Sequence, residues 1–470
     1  VYVADARFPS RTLSIHSTRN YIYRAIAGMS TFSFASATLP EWLDYLERMH
    51  PTAIEMGLER IRHVQAELGL KPSFPIISVA GTNGKGSTCM MLEAILSHAG
   101  YRVGCYTSPH LLRYNERVRI GRKEASDDEL CEAFRAVESA RMNSAVSLTY
   151  FEFGTLAAMY LFSQAEVEVA ILEVGLGGRL DAVNVFEADC AILTSVDFDH
   201  MDYLGNTRDQ IGFEKAGIFR SGKAAVCSEP DLPISVRHHA QSIGANLMHI
   251  GEHFGYSTAP QSWSYWRNGE SRHALPYPAL RGAYQLKNAS ACLAALDSLK
   301  DTLPVTLSDI RHGLLEVVWP ARFQVLPGQP VTVLDVAHNP GAARALAASL
   351  DSMERYPETY AVFAMLKDKD IAGVVRELRS RVDVWLVSGI DAPRGATADE
   401  VAAQVAQALQ IAEPLAGNAG EVAVHTIRKF RNPSEAYAYA CEQAARNDRI
   451  CVFGSFHTVA EVLKNRIERR

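Results

Sequence analysis

From residue 75 onward, short apolar runs of strand length alternate with segments whose apolar residues recur every three or four positions, the pattern of parallel sheets built from strand–helix–strand units. Pro75–Ala80 predicts a buried strand, Ser87–His98 a helix and Arg102–Tyr106 the next strand. Helical patterns over Asp127–Arg141 and Phe151–Phe162 then precede two near-continuous apolar strands, Val167–Val174 and Cys190–Val196. Each of these strands ends in a polar loop carrying Asp, Glu or His, where ligands of an open α/β sheet collect. Upstream, Leu39–Met49 reads as an amphipathic helix. Gly251–Pro278 mixes Ser, Trp, Tyr and Gly without a clear period and reads as irregular or antiparallel structure, and Gln285–Leu299 returns to a helix.

Pro320 and the Gly328-Gln-Pro330 turn mark a boundary, because a second alternating series starts directly after them. It predicts strand Val331–Val336, helix Ala342–Leu350, strand Tyr360–Ala364, helix Ile371–Leu378, strand Val382–Val387 and a last strand Ile450–Phe453 before a terminal helix. The expected organisation is an extension over 1–28, a large α/β domain over 29–319 and a smaller one over 320–470. Residues 1–28 carry Arg7, Arg11, Arg19 and Arg24 against the single acid Asp5, which suits a transit peptide in composition. The preferred expectation is a non-native or disordered extension, since Met29 stands just before the first helix pattern.

At 470 residues the chain has room for two or three domains. Its 47 Lys and Arg against 53 Asp and Glu, spread without long blocks, give no electrostatic reason to expect nucleic acid or an anionic membrane. The eight cysteines show no CxxC pairs, which fits plain thiols in a reducing, cytoplasmic setting. No apolar run approaches the roughly 18 residues of a membrane span. A small-molecule enzyme is the starting expectation.

The chemistry begins at Gly81-Thr-Asn-Gly-Lys-Gly-Ser87, directly after a strand and opening a helix. Backbone N–H groups of Thr82, Asn83, Gly84, Gly86 and Ser87, with the helix N-terminus, can cradle phosphates while Lys85 reaches the terminal ones. The motif departs from the usual P-loop in one respect. Gly86 separates the lysine from the hydroxyl residue, so Ser87 does not inherit the role of magnesium ligand. The fold class expected is therefore α/β: a P-loop-containing N-terminal ATPase domain with a mostly parallel sheet, plus a smaller Rossmann-like C-terminal domain.

Six further segments follow in order: Thr107-Ser-Pro-His-Leu111 with Asn115-Glu-Arg-Val118, Leu172-Glu-Val-Gly-Leu-Gly-Gly-Arg-Leu-Asp181, Asp199-His200, Glu214-Lys-Ala-Gly-Ile-Phe219, Pro320-Ala-Arg-Phe323 and Asp335-Val-Ala-His-Asn-Pro340. Together with the P-loop they resemble the folylpolyglutamate synthase family, in its bacterial bifunctional dihydrofolate synthase form, and more distantly the Mur ligases of cell-wall synthesis. The resemblance implies that Ser108, Glu173 and His200 bind Mg²⁺, at two sites, and that Lys215 is carboxylated and joins them. It implies ATP contacts from Asn288, Arg322 and Asp335, and a catalytic part for His338 beside Lys215 and Lys85. Its pterin positions fall on Ile54, Glu55, Met56, on Thr149, Tyr150, Phe151, Glu152 and on Leu180, Asp181, Ala182. Where the commoner pattern has Thr before Asn184 this chain has Val183, which removes a hydroxyl and puts a local hydrogen bond in question. Lys367-Asp-Lys-Asp370 reads as a solvated loop, and its position after a strand leaves room for substrate contact.

The resemblance implies a monomeric ATP-dependent ligase that joins L-glutamate to 7,8-dihydropteroate or a reduced folate through an acyl phosphate. Forming that anhydride brings two anions together, so hard oxygen ligands for Mg²⁺ and nearby cations suit the chemistry. Glu173 and His200, after neighbouring apolar strands, can converge at one sheet edge. A Mur-type ligase acting on a nucleotide-sugar precursor and a P-loop regulatory NTPase are the alternatives.

Overall fold

The computed structural model describes residues 33–52, 54–410 and 426–468, so the extension expected over 1–28 lies outside the described residues. Internal contacts divide the chain into two compact units, one within 1–71 and 126–161, the other within 72–125 and 162–470.

In the first unit, helix starts follow local capping chemistry. Thr38 and Glu41 form a reciprocal box ahead of helix Leu39–Met49, with Pro40 in its first turn, and Ser126 and Glu129 do the same for helix Asp127–Ser144. Helix Glu59–Glu67 and the start of helix Tyr150–Gln164 complete the unit. Trp42, Phe134 and Phe153 meet at ring-centroid distances of 5.6–6.5 Å in its core. Trp42–Phe134 and Phe134–Phe153 meet edge to face, a contact that adds to their area burial.

The second unit contains three sheets. The largest comprises β1 (Ile76–Ala80), β2 (Val103–Tyr106), β3 (Val118–Ile120), β4 (Lys123–Glu124), β5 (Val169–Glu173), β6 (Cys190–Leu193), β7 (Ala224–Cys227) and β8 (Asn246–His249). Their spatial order is β4-β3-β2-β5-β1-β6-β7-β8, parallel from β2 to β8 and antiparallel at β3 and β4. Helices on a parallel sheet bury both faces, which is why β1 and β5 are buried at every position and read as unbroken apolar runs. The apolar run expected to reach Val196 leaves the sheet at Leu193, because the Thr194 hydroxyl turns to donate to Asn83 O at 2.7 Å.

The aperiodic stretch is a small antiparallel sheet of β9 (Phe254–Ala259), β10 (Ser262–Arg267) and β11 (Glu270–Leu275). The third sheet holds β12 (Gln324–Leu326), β13 (Val331–Leu334), β14 (Thr359–Phe363), β15 (Val384–Ser388), β16 (Thr426–Phe430) and β17 (Arg449–Phe453). Its order is β12-β13-β17-β14-β15-β16, parallel except at β12. The last strand in sequence is thus inserted beside β13, and the loops after β13, β14 and β17 share one edge.

Candidate active site

The turn after β1 lies between β5 and β6 in the sheet, at a crevice where α/β proteins bind ligands. Gly84, at φ +91°, is the N-cap of helix Lys85–His98, and a side chain there would meet Asn288 Oδ1 at 2.8 Å. Glycine is required on both counts. The loop is clasped by residues after β6: Thr82 N–H donates to Ser195 O (2.9 Å), Asn83 N–H to Ser195 Oγ (2.9 Å), and the Thr82 hydroxyl to Asp197 O (3.1 Å). Lys85 Nζ donates to Gly81 O (3.0 Å), so its ammonium lies on the phosphate-cradling loop. The Ser87 hydroxyl accepts from Gln285 Nε2 (3.3 Å), and Gln285 accepts from Asn288 (3.0 Å). Ser87 is thereby turned inward.

Two buried acids stand at neighbouring strand ends. Glu173, the last residue of β5, accepts from the backbone N–H of Ser108 at 3.0 Å. Burial raises its pKa, opposed by the charges of Lys85, Arg322 and Arg117 and by that hydrogen bond. Asp181 accepts from Leu176 N–H (2.8 Å) and Val183 N–H (3.0 Å), and burial pushes its carboxyl up to about 7 against these donors. The loop that carries it is tied to helix Arg208–Ala216 by Arg179, which donates to Glu214 (2.8 Å). That helix holds Lys215, whose amine is buried and pushed down to about 7 by desolvation and by Lys85, against Asp199 and Asp181. The substitution at Val183 leaves the turn intact: Asn184 Nδ2 donates to Arg179 O and Gly217 O, both at 3.0 Å.

Asp199 joins the two α/β halves of this unit. Its carboxylate pairs with Lys369 Nζ and lies 3.6 Å from His338 Nε2, while Asn339 Nδ2 donates to it at 3.3 Å. Burial opposes ionisation of Asp199, yet the His338 hydrogen bond and the charges of His338, His200 and Lys369 hold its carboxyl far below the ordinary range. Burial pushes His200 down to about 4, so its imidazole is neutral at neutral pH and free to act as a ligand. His338 Nδ1 lies 2.8 Å from Val336 O, which only accepts, so Nδ1 carries the proton. Asn339 and Asn83 exchange two amide hydrogen bonds at 3.0 Å, linking the P-loop to the turn after β13. Asn339 also caps helix Pro340–Asp351 by accepting from Ala342 N–H (2.9 Å), so cap and cross-link coexist in one side chain.

Arg322 stacks over Phe456 at 5.0 Å, and burial lowers its pKa against Asp335, Tyr284 and Glu173. Asp335 accepts from Phe323 N–H and Ala337 N–H, each at 2.8 Å. Burial raises its pKa, opposed by Arg322 and these donors. The segment 367–370, expected to be solvated, is corrected at Lys369: the Lys369 side chain is only 8% exposed because Asp199 draws it inward. Asp370 caps helix Ile371–Leu378 instead. Lys369 and Gln285 were not among the expected site residues. The position of Lys369 after a strand, which leaves room for substrate contact, was the signal for it; Gln285 had none.

The expected pterin residues divide between the units. In the first, Ile54, Glu55 and Met56 lie in the turn before helix Glu59–Glu67, and Thr149, Tyr150, Phe151 and Glu152 at the start of helix Tyr150–Gln164. Arg60, absent from the expectation, pairs with both Glu55 and Glu152, the latter at 3.1 Å. Glu152 is buried and accepts from Thr149 N–H (2.7 Å). Leu180, Asp181 and Ala182 belong to the second unit.

Among the described residues, no three His, Cys, Asp or Glu side chains form a cation cage. A hydroxyl, one carboxylate and an imidazole are instead a sparse donor set, which fits a magnesium that keeps phosphate and water as further ligands. No helix of the described residues is long and apolar enough to cross a membrane.

A phosphate loop facing a second α/β half that supplies cations to it is the arrangement of an ATP-dependent ligase of the Mur class. The Mur ligase middle domain matches residues 79–296, and the Mur ligase glutamate ligase domain matches 321–456. The dihydrofolate synthase/folylpolyglutamate synthase of Escherichia coli K12 is 43% identical over 92% of this chain and 96% of its own. A structure of E. coli FolC in complex with DHPP and ADP has a TM-score of 0.86 at 42% identity, covering 94% of this chain and 100% of that one. A bifunctional folylpolyglutamate synthase/dihydrofolate synthase with Mn, AMPPNP and L-glutamate bound has a TM-score of 0.83 at 44% identity, covering 92% and 99%. The chain belongs to the dihydrofolate synthase/folylpolyglutamate synthase family.

Proposed function

We propose that this chain adds L-glutamate to 7,8-dihydropteroate, forming dihydrofolate, and to reduced folates, forming folylpolyglutamates. ATP is the second substrate. The observation that carries the proposal is the cross-link from Asn83 and Asp199 on the P-loop half to Asn339, His338 and Lys369 on the other half, which assembles one site from both.

The pteroate or folate carboxylate attacks the γ-phosphorus of ATP, ADP departs, and the glutamate amine displaces phosphate from the acyl phosphate. Lys85 and the P-loop N–H groups hold the phosphates, Arg322 adds a cation, and Asn288 and Asp335 orient the nucleotide. Ser108, Glu173 and His200 would hold Mg²⁺, at two sites with Lys215. When bound, the metal supplies charge neutralisation between the two anions. The neutral amine is the form that takes up CO₂, losing one proton to give a carbamate, and the burial that lowers the pKa of Lys215 to about 7 makes that form accessible at neutral pH, so its surroundings favour carboxylation. In the first unit Glu55, Arg60 and Glu152, with Ile54, Met56, Thr149, Tyr150 and Phe151, are groups suited to a donor-rich pterin; Leu180, Asp181 and Ala182 are the pterin positions proposed in the second unit, taken by itself. The division of labour follows 29–319 for nucleotide and pterin and 320–470 for glutamate ligation, in a cytoplasmic monomer.

The test incubates the protein with MgATP and L-glutamate, adding 7,8-dihydropteroate in one reaction and a reduced folate in another, and reads products by mass together with ADP. Product in both establishes the two activities. Product with folate alone restricts the enzyme to chain extension, and glutamate added to neither acceptor overturns the proposal in favour of a cell-wall precursor.

A further inference from the structure

Arg322 sits between two residues in the left-handed backbone region, Ala321 at φ +59° and Phe323 at φ +45°. L-residues rarely adopt that region, and a bulky aromatic residue there is strained. Packing accounts for both. Ala321 is buried in the apolar cluster that holds Leu334 and Val452, and Phe323 in the one that holds Val333 and Phe453. Successive strand residues point to opposite faces, so the two side chains are anchored on the two faces of the third sheet. Arg322 is left between the anchors, where its guanidinium stacks over Phe456 at 5.0 Å.

A strained turn persists only where its surroundings hold it. Here three hydrogen bonds do so. Val336 N–H donates to Ala321 O at 3.1 Å, Phe323 N–H to Asp335 Oδ2 at 2.8 Å, and Ala321 N–H to Gln324 Oε1 at 3.0 Å. The first is main chain, and the second uses an acid already in the expected site. The third comes from a side chain outside that site. Gln324 opens β12 opposite Leu334, so its backbone is fixed in the ladder while its amide oxygen reaches back to the turn. Ala321 has no exposed surface, so without Gln324 its N–H would lose its acceptor in the interior.

We propose that Gln324 is a positioning residue: by accepting the Ala321 N–H it holds the strained turn that aims Arg322 at the nucleotide. The inference rests on the reading of Arg322 as a nucleotide cation, which the variant Arg322→Ala tests by itself.

Calorimetric titration of the full chain with a non-hydrolysable ATP analogue is the experiment. Gln324→Leu keeps the bulk and deletes the acceptor, and its Kd is expected to rise about fivefold with one site per chain retained. A merely structural role would lower the number of sites and leave Kd unmoved. Gln324→Glu keeps an oxygen that accepts the same N–H and should bind within about twofold of wild type. Added to Arg322→Ala, the Gln324→Leu change should weaken binding no further, because it acts through the guanidinium. Wild-type Kd in Gln324→Leu, a full fivefold effect persisting beside Arg322→Ala, or no rescue by Gln324→Glu each overturns the proposal and leaves the role of Arg322 standing. Wild-type Kd in Arg322→Ala overturns both. Should Gln324→Leu not fold, Gln324→Asn, one methylene too short to reach the N–H, is read in the same way.

Discussion

Two buried charge clusters in this protein are built in opposite ways. In the first unit, Glu138 receives two hydrogen bonds from Arg141 and one from the Tyr45 hydroxyl, all at 2.7 Å, and Arg141 also donates to Val146 O at 2.8 Å. Burial and the neighbouring Glu138 push the Tyr45 phenol above its ordinary range, so it stays a neutral donor. In the second unit, Glu173 feels the charges of Lys85 and Arg322, and Lys215 that of Lys85, but these four do not close into such pairs: Glu173 accepts from a backbone N–H, and Lys85 donates to a carbonyl. A cluster that only stabilises the fold is saturated by its own side chains. On the proposed reading, phosphate and metal would complete the second cluster, where Glu173, Lys85, Arg322 and Lys215 are not paired with one another.

The contrast is sharpened first by Lys215→Ala. Ligation should fall roughly a thousandfold or more, while thermal stability is retained or raised, since a buried, poorly compensated amine is removed. Near wild-type turnover would break the comparison. The converse change, Glu138→Ala, strands Arg141 in the interior and should cost about 3 kcal/mol, seen as an earlier urea transition. A third variant, Asn339→Ala, touches both stability and chemistry. Loss of the cap costs about 1 kcal/mol, and loss of the pair with Asn83 should lower kcat/KM about tenfold, measured by steady-state ATP turnover with glutamate present. At the small end, the exposed Lys429–Asp399 pair at 2.7 Å belongs to neither kind. Lys429→Ala should shift stability by less than about 0.5 kcal/mol and leave turnover unchanged.

These expectations draw unequally on the sequence. The P-loop was legible because a phosphate cradle is local: glycine conformations, a helix N-terminus and a lysine within seven consecutive residues specify it. The alternating strands were legible for a similar reason, since burial on both faces removes polar positions from a short window. Strands β7 and β8, and the extra strand β16, carried no such separate signal, being short and partly exposed. The antiparallel sheet of β9 to β11 was left open between two readings because Trp263 and Tyr265 are buried while Ser257 to Ala259 face solvent, which blurs any single period.

The sequence by itself determined the fold class, the phosphate loop and, through its ordered motifs, the family. Each of these depends on residues near one another in the chain. Only the tertiary structure decided that Lys369 turns inward to Asp199, that Arg60 pairs with two acids at once, and that Asn339 both caps its helix and clasps Asn83. The Asp199–Lys369 pair spans 170 residues of sequence and the Asn83–Asn339 pair 256. A contact at that separation is set by which strand ends share a sheet edge, and strand order, with β17 placed between β13 and β14, is a property of the packed core that no local pattern encodes.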